Sequence, residues 1–313
     1  MDVSKLSSGL KRGERAALAR AITIAEDNPA AFSRLIRGLY DPKRIPAVIG
    51  ITGPPGCGKS SLISAMAPIL AKRGMKLGII AIDASSPFTG GSFLGNRIRM
   101  EQTVASGNIF MRSIASRGSK GGLATPVMNA IIALSCAGYD MVLVESVGAG
   151  QSDIDILNIS STVLLVLAPG LGDEIQAMKA GSMEIADIFV VNKSDLPGSD
   201  EAKRAIVSYL HTLDNKGTKE VVSTSCASGK GIEDLVSMVL DHESTIDRST
   251  FTEKAFRMEV DRIARDLASK RIGEYVDSRR QVVQRMLGKG TDPYSAALSL
   301  LKSYHARGGG GED

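Results

Sequence analysis

Residues Gly53, Pro54, Pro55, Gly56, Cys57, Gly58, Lys59 and Ser60 place a lysine and a hydroxyl directly behind a glycine-rich turn. The spacing G-x-x-x-x-G-K-[ST] suits one chemistry, the holding of polyphosphate. Glycines let the backbone curl so that successive N–H groups point inward at phosphate oxygens. A helix opening at the lysine adds its positive N-terminal end. Lys59 is then placed to reach β- and γ-phosphates and Ser60 to ligate Mg²⁺, with Ser61 next in the same turn. Such a motif is meaningful only between a strand and a helix. Both flanks are in the sequence: Pro46-Ala47-Val48-Ile49-Gly50-Ile51 is an apolar run, and SLISAMAPIL is amphipathic. The stretch predicts a nucleoside triphosphate site.

The elements that must carry this turn repeat along the chain. Apolar runs read as strands at 46–51, 76–82, 108–113, 141–145, 162–168, 187–191 and 220–224. Helical patterns fill gaps at 59–72, 123–137, 173–185, 200–213 and 231–242. Apolar strands alternating with helices predict a parallel sheet covered on both faces. The expected architecture is therefore α/β, a three-layer P-loop NTPase fold with a mostly parallel sheet across residues 46–245. A helical N-terminal extension precedes it at 1–45, with Asn28-Pro29 as the break between two helices. A helical arm follows at 246–313, where Phe256, Val260, Ile263 and Leu267 recur at helical spacing. Gly288 to Pro293 breaks the arm before a last helix, and the tail ARGGGGED predicts disorder.

Ligands of such sheets bind beyond the C-terminal ends of the strands, so the residue after each strand carries information. Asp83 follows the second strand and Glu145 ends Met141-Val142-Leu143-Val144, two acids suited to an Mg²⁺ shell. Gly148 can bring a backbone N–H to the γ-phosphate, and Gln151 is nearest by placement to a residue that orients water. Asn192-Lys193-Ser194-Asp195 closes a later strand as N-K-x-D. A carboxylate at Asp195 accepts from the N1–H and N2–H₂ edge of guanine, an edge adenine does not present. Asn192 can bond the base and brace the P-loop, and the Lys193 stem can cover the ring. Ser225-Cys226-Ala227 follows the last strand and can offer a backbone N–H to guanine O6. The nucleotide expected is GTP or GDP.

Composition sets the outer bounds. The 313 residues are 43% hydrophobic and 23% charged, with no tryptophan and a net charge of +4 spread along the chain. No basic block argues for nucleic acid or a membrane surface as main partner. Cys57, Cys136 and Cys226 lie far apart without metal spacing, as in a reducing compartment. The start MDVSKLSSGLKRGER lacks the apolar core of a signal peptide, and no run is long enough to cross a bilayer. A cytoplasmic protein is expected.

GPPGCGKSS, IAIDASSPFTGGSFLGNRIRM, RGSKGGLA, VESVGAGQSD and VNKSD together resemble the MeaB/ArgK GTPases. That family accompanies adenosylcobalamin-dependent mutases such as methylmalonyl-CoA mutase. The resemblance implies that Lys59 and Ser60 serve phosphate and Mg²⁺, with Asp83 and Glu145 in the metal shell and Asn192 and Asp195 reading guanine. It also implies a mutase-sensing loop at 170–179 and a C-terminal arm that builds a homodimer. The function implied is a GTP-hydrolysing chaperone that gates cofactor loading of the mutase and protects it. Two other classes compete. A phosphotransferase acting on a transport protein needs an acceptor-binding residue near the γ-phosphate, and none stands out. A metal-inserting GTPase needs a His or Cys cluster, whereas His211, His242 and His305 are scattered.

The chain departs from the family at Asn96, where an aspartate is usual. An amide brings no negative charge, so Asn96→Asp should tighten Mg²⁺ in the GTP-bound state by ~1 kcal/mol and raise turnover. Superimposable Mg²⁺ titrations of the two proteins would leave Asn96 only as a helix cap before Arg97 and Arg99.

Overall fold

The computed structural model describes residues 3–83, 108–115, 124–146, 159–170, 182–212 and 219–306. The chain divides into two compact units, Met1–Ala255 and Phe256–Asp313. The first is built on β1 (Ala47–Thr52), β2 (Leu77–Asp83), β3 (Ile109–Ala115), β4 (Met141–Glu145), β5 (Thr162–Leu167), β6 (Ile188–Val191) and β7 (Glu220–Ser223). They form one sheet in the order β3-β2-β4-β1-β5-β6-β7, with every pairing parallel. Each predicted strand is present within two residues at either end. β1 lies between β4 and β5, at the point where the chain turns from one half of the sheet to the other. A crevice at that switch point is where such sheets bind ligands.

Helices cover both faces, which is why β1, β4, β5 and β6 are buried at every position. In chain order the unit adds α1 (Val3–Lys11), α2 (Arg15–Asp27), α3 (Pro29–Ile36), α4 (Lys59–Lys72) and α5 (Ala124–Cys136). It continues with α6 (Ser182–Ile185), α7 (Ser199–Thr212) and α8 (Ile232–Thr245). The period-two alternation of the strands decides which helix meets which residue. Val48, Val142 and Val144 pack with Leu18, Ile22 and Phe32 of the N-terminal helices and with Ile131 and Leu134 of α5. Their neighbours Ile49, Ile51 and Leu143 face the other way, onto Leu62, Met66 and Leu70 of α4 and Leu235 and Val239 of α8. Val163, Leu165, Phe189 and Val191 meet Ile206 of α7 in a third cluster.

The N-terminal segment corrects the sequence reading: it holds three helices, not two. The second break is at Gly13, whose φ of +75° ends α1 with its N–H on the Leu10 carbonyl. A left-handed residue stops a helix, and glycine adopts it freely. The break at Asn28-Pro29 is as expected, with the Asn28 side chain accepting from Ala31 N at 3.0 Å. Arg112 ties α2 to the edge strand β3, 2.9 Å from Glu26 and 3.2 Å from Thr23 Oγ1. Of the helix expected at 173–185, only α6 lies within the described residues, and the ARGGGGED tail lies outside them beyond residue 306.

α9 (Arg248–Ser278), α10 (Arg280–Gly288) and α11 (Pro293–Ala306) complete the chain. Ala255 of α9 is buried in the first unit's core. In the second unit Tyr275 and Tyr304 meet edge to face at 5.2 Å, with Arg279 over the Tyr275 ring. Arg262 is braced by Glu259 and Asp266 on the same helix. Phe256, Ile263 and Leu267 are exposed by 53%, 42% and 56%.

At the N-terminal end of β5 one carboxylate joins several elements. Glu243 of α8 is buried and accepts from Ser161 Oγ at 2.5 Å and Thr162 Oγ1 at 2.6 Å. Its other oxygen pairs with Arg248 at 2.8 Å. Ser161 in turn receives the Val48 N–H at 2.9 Å. Glu243→Ala removes the acceptor these groups share and leaves a cavity, and should cost about 2–4 kcal/mol of unfolding free energy in urea. Glu243→Gln, which keeps an acceptor and the side-chain volume, should cost less; equal losses would mean that the carboxylate charge paired with Arg248 carries the whole effect.

Candidate nucleotide site

The phosphate loop runs from the end of β1 into α4, and two of its glycines have a steric reason. Gly53 has φ +145°, and a Cβ there would lie 2.0 Å from the Val166 carbonyl oxygen. Gly58 has φ +98°, and a Cβ would lie 2.3 Å from Asn192 Nδ2. Neither position admits a side chain. Lys59 is 7% exposed, and its ammonium donates to the Gly53 carbonyl at 2.7 Å and the Pro54 carbonyl at 3.0 Å. An ammonium carries three N–H groups. Among the described residues one of them stays uncommitted at the mouth of the loop.

Ser60 stands one residue into α4 and donates to Glu145 Oε1 at 2.5 Å. Glu145 is 8% exposed at the end of β4, the strand beside β1. Ser146 reinforces that join through its N–H on the Ile51 carbonyl and its hydroxyl on Thr52 Oγ1, each at 3.0 Å. Asp83 closes β2 on the far side of β4, two residues beyond Ala81, the partner of Glu145. Only its backbone is among the described features. A hydroxyl and a carboxylate in contact are hard oxygen donors. Mg²⁺ is commonly held by one or two carboxylates together with phosphate and water. The residues present fit that ion.

The base side is set by β6 and β7. Asn192 is 1% exposed; its Nδ2 donates to the Cys57 carbonyl at 2.9 Å, and its Oδ1 accepts from Thr224 Oγ1 at 3.2 Å. Lys193 follows with φ +57°, an uncommon conformation for a residue with a side chain. The turn this creates lets Ser194 N reach the Thr224 carbonyl at 2.9 Å. Asp195 Oδ1 accepts from Ser225 Oγ at 2.5 Å, and that hydrogen bond is the main cause holding its carboxyl below the usual range. An ionised Asp195 is an acceptor only, as a guanine-reading group has to be.

Gly58, Ser60, Ser61, Asn192, Lys193, Asp195, Cys226 and Ala227 line a single cavity of about 630 Å³. Sequence reasoning had named all eight. It had missed Ser64, Ala65 and Leu196, which line the same cavity from α4 and the turn after β6. Thr224 and Ser146 were also missed, although each directly adjoins a residue that was named. Pro55 and Gly56 form the exposed bend of the loop, with Gly56 at φ +78°. Asn96, Gly148, Gln151 and the stretch 171–179 lie outside the described residues.

A phosphate loop on the central strand and an N-K-x-D turn on a later one, sharing a cavity, define the class as a P-loop GTPase. A family model described as "Methylmalonyl Co-A mutase-associated GTPase MeaB" matches residues 18–281. This chain belongs to that family. A relative from Pyrococcus abyssi (strain GE5 / Orsay) is 38% identical over 96% of both chains. GTPase ArgK of Escherichia coli (strain K12) is 34% identical over 77% of this chain and 76% of its own. The mouse protein "Methylmalonic aciduria type A homolog, mitochondrial" is 32% identical over 74% of this chain and 61% of its own. A crystal structure of LAO/AO transport system kinase shares the fold, with TM-score 0.68, 23% identity and 97% of each chain covered.

Gly58→Ala tests the loop geometry. It forces a left-handed alanine and drives Asn192 off the Cys57 carbonyl, so GDP affinity should fall on the order of tenfold or more. Calorimetry on the folded variant checks this, and unchanged affinity would contradict the packing of Asn192 over Gly58.

Proposed function

We propose that this GTPase cycles between GTP and GDP to gate cofactor loading of an adenosylcobalamin-dependent mutase of the methylmalonyl-CoA type, and to protect that mutase. The observation that carries the nucleotide half is the meeting of Lys59, the Ser60–Glu145 pair and the Asn192–Asp195 turn at one end of the sheet. The mutase half is supported by the description of the matching family and by the name of the mouse relative.

Phosphoryl transfer to water asks little covalent chemistry of the protein, so catalysis is positioning and charge. In this reading the amides from Gly53 to Ser61 cradle the phosphates. The uncommitted N–H of Lys59 turns to the β- and γ-oxygens. Ser60, Glu145 and Asp83 would hold Mg²⁺, which would supply positive charge against the phosphate oxygens. Asp195, kept ionised by Ser225, accepts from both donors of the guanine edge. Lys193 covers the ring, and the backbone of Ser225, Cys226 and Ala227 meets O6. Gly148 senses the γ-phosphate and Gln151 orients the attacking water. Products are GDP and inorganic phosphate.

The exposed Phe256, Ile263 and Leu267 support self-association through the second unit, hence a homodimer. The working compartment in this reading is the cytoplasm, in keeping with thiols at Cys57, Cys136 and Cys226.

The test uses the cognate mutase. Adding it should raise GTP turnover, and Lys179→Ala should weaken that rise while sparing the basal rate. Lys59→Ala should remove most turnover with and without the mutase. A mutase that binds and changes neither turnover nor nucleotide affinity would remove the gating role and leave the GTPase standing.

A further inference from the structure

Three successive residues after β7 each engage the N-K-x-D turn. Thr224 Oγ1 donates to Asn192 Oδ1 at 3.2 Å, Ser225 Oγ to Asp195 Oδ1 at 2.5 Å, and Cys226 Sγ to Asn192 Oδ1 at 3.4 Å. The first two are hydroxyls, ordinary donors. The third is a thiol on the wall of the nucleotide cavity. We infer that Cys226 is a positioning residue for the guanine nucleotide, its S–H holding the Asn192 amide in the orientation that ties the base turn to the phosphate loop. This rests on reading the cavity as the guanine-nucleotide site.

The amide oxygen of Asn192 is saturated by two donors. A side-chain amide occupies nearly the same volume when its oxygen and nitrogen are exchanged, so only its partners choose the orientation. The Cys57 carbonyl can only accept, which favours Nδ2 on that side. On the other side Thr224 can donate or accept, and alone it would tolerate either atom. A second donor on the same oxygen fills both its lone pairs and favours Oδ1 there. The Cys226 thiol can act as that donor because burial pushes its pKa up by more than the Asn192 contact lowers it, with the Asp195 carboxylate adding to the rise. It therefore stays protonated at neutral pH. Both polar side-chain atoms of Asn192 are then engaged, Nδ2 by the Cys57 carbonyl and Oδ1 by Thr224 and Cys226. Because Nδ2 also lies against Gly58, a loosened amide disturbs phosphate loop and base turn together. The thiol reaches both halves of the nucleotide through one neighbour.

The experiment follows dissociation and equilibrium binding of N-methylanthraniloyl-GDP with the full chain. Cys226→Ala should raise Kd about three- to tenfold, mostly through faster dissociation. Cys226→Ser keeps a donor and should return binding to within about twofold of the parent. In an Asn192→Ala background, Cys226→Ala should add less than about twofold, since the group it acts on is gone. Parent-like binding by Cys226→Ala would overturn the inference. So would Cys226→Ser binding as weakly as Cys226→Ala, which would make volume and not donation the cause. If circular dichroism shows Asn192→Ala unfolded, the alanine–serine comparison decides alone. A parent protein that does not bind the probe overturns the guanine-site reading itself, and the inference with it.

Discussion

Asn192 ends β6 almost wholly buried, with its Nδ2 2.9 Å from the carbonyl of Cys57 in the phosphate loop and its Oδ1 on donors that follow β7. Three loops that are far apart in the chain thus share one side chain. Net, each such hydrogen bond contributes only about 1 kcal/mol, but leaving a buried amide unpaired costs about 1–3 kcal/mol. The asymmetry enforces geometry. The amide must stay where all its partners are, so the phosphate loop cannot shift relative to the base turn without stranding polar atoms. Gly58 is the steric counterpart: only a residue without Cβ lets the amide come so close.

The sheet makes this arrangement possible. Parallel strands all end at one edge, so loops after β1, β4, β6 and β7 meet there although the ends of β1 and β7 are 171 positions apart in sequence. Stability comes from elsewhere. Fully burying one Leu or Ile side chain contributes about 1.5–3 kcal/mol, and Ile49, Ile51, Leu62, Leu143 and Leu235 are all fully buried in one cluster. That apolar mass exceeds any single polar contact in the site. It leaves the site free to keep features poor for stability, such as a left-handed lysine at 193 and a buried ammonium at 59.

The strands were legible because continuous apolar runs bounded by turns have few alternative meanings, and each predicted strand appears within two residues. The eight cavity-lining residues named beforehand were legible through fixed spacing. What the sequence hid was pairing across distance. Cys57 and Cys226 looked unrelated at 169 positions apart, yet both touch Asn192, one by its carbonyl and the other by its thiol. Ser60 and Glu145 were assigned to one ion without any sign that they bond each other. Gly13 lies before the apolar positions that begin at Ala16, so their spacing did not mark it as a helix breaker. Periodicity records which face is buried and is silent about one left-handed residue.

The account turns on a cavity that reads guanine through Asp195, held ionised and oriented by Ser225. Calorimetric titration of the parent protein and Asp195→Asn with GDP, ADP and xanthosine diphosphate tests it most directly. The account predicts that the parent binds GDP at least about a hundredfold more tightly than ADP, as expected when two paired donors of the base are lost. It predicts that Asp195→Asn shifts preference to xanthosine diphosphate, whose C2 oxygen can accept from the new amide. Equal affinity of the parent for GDP and ADP would contradict it.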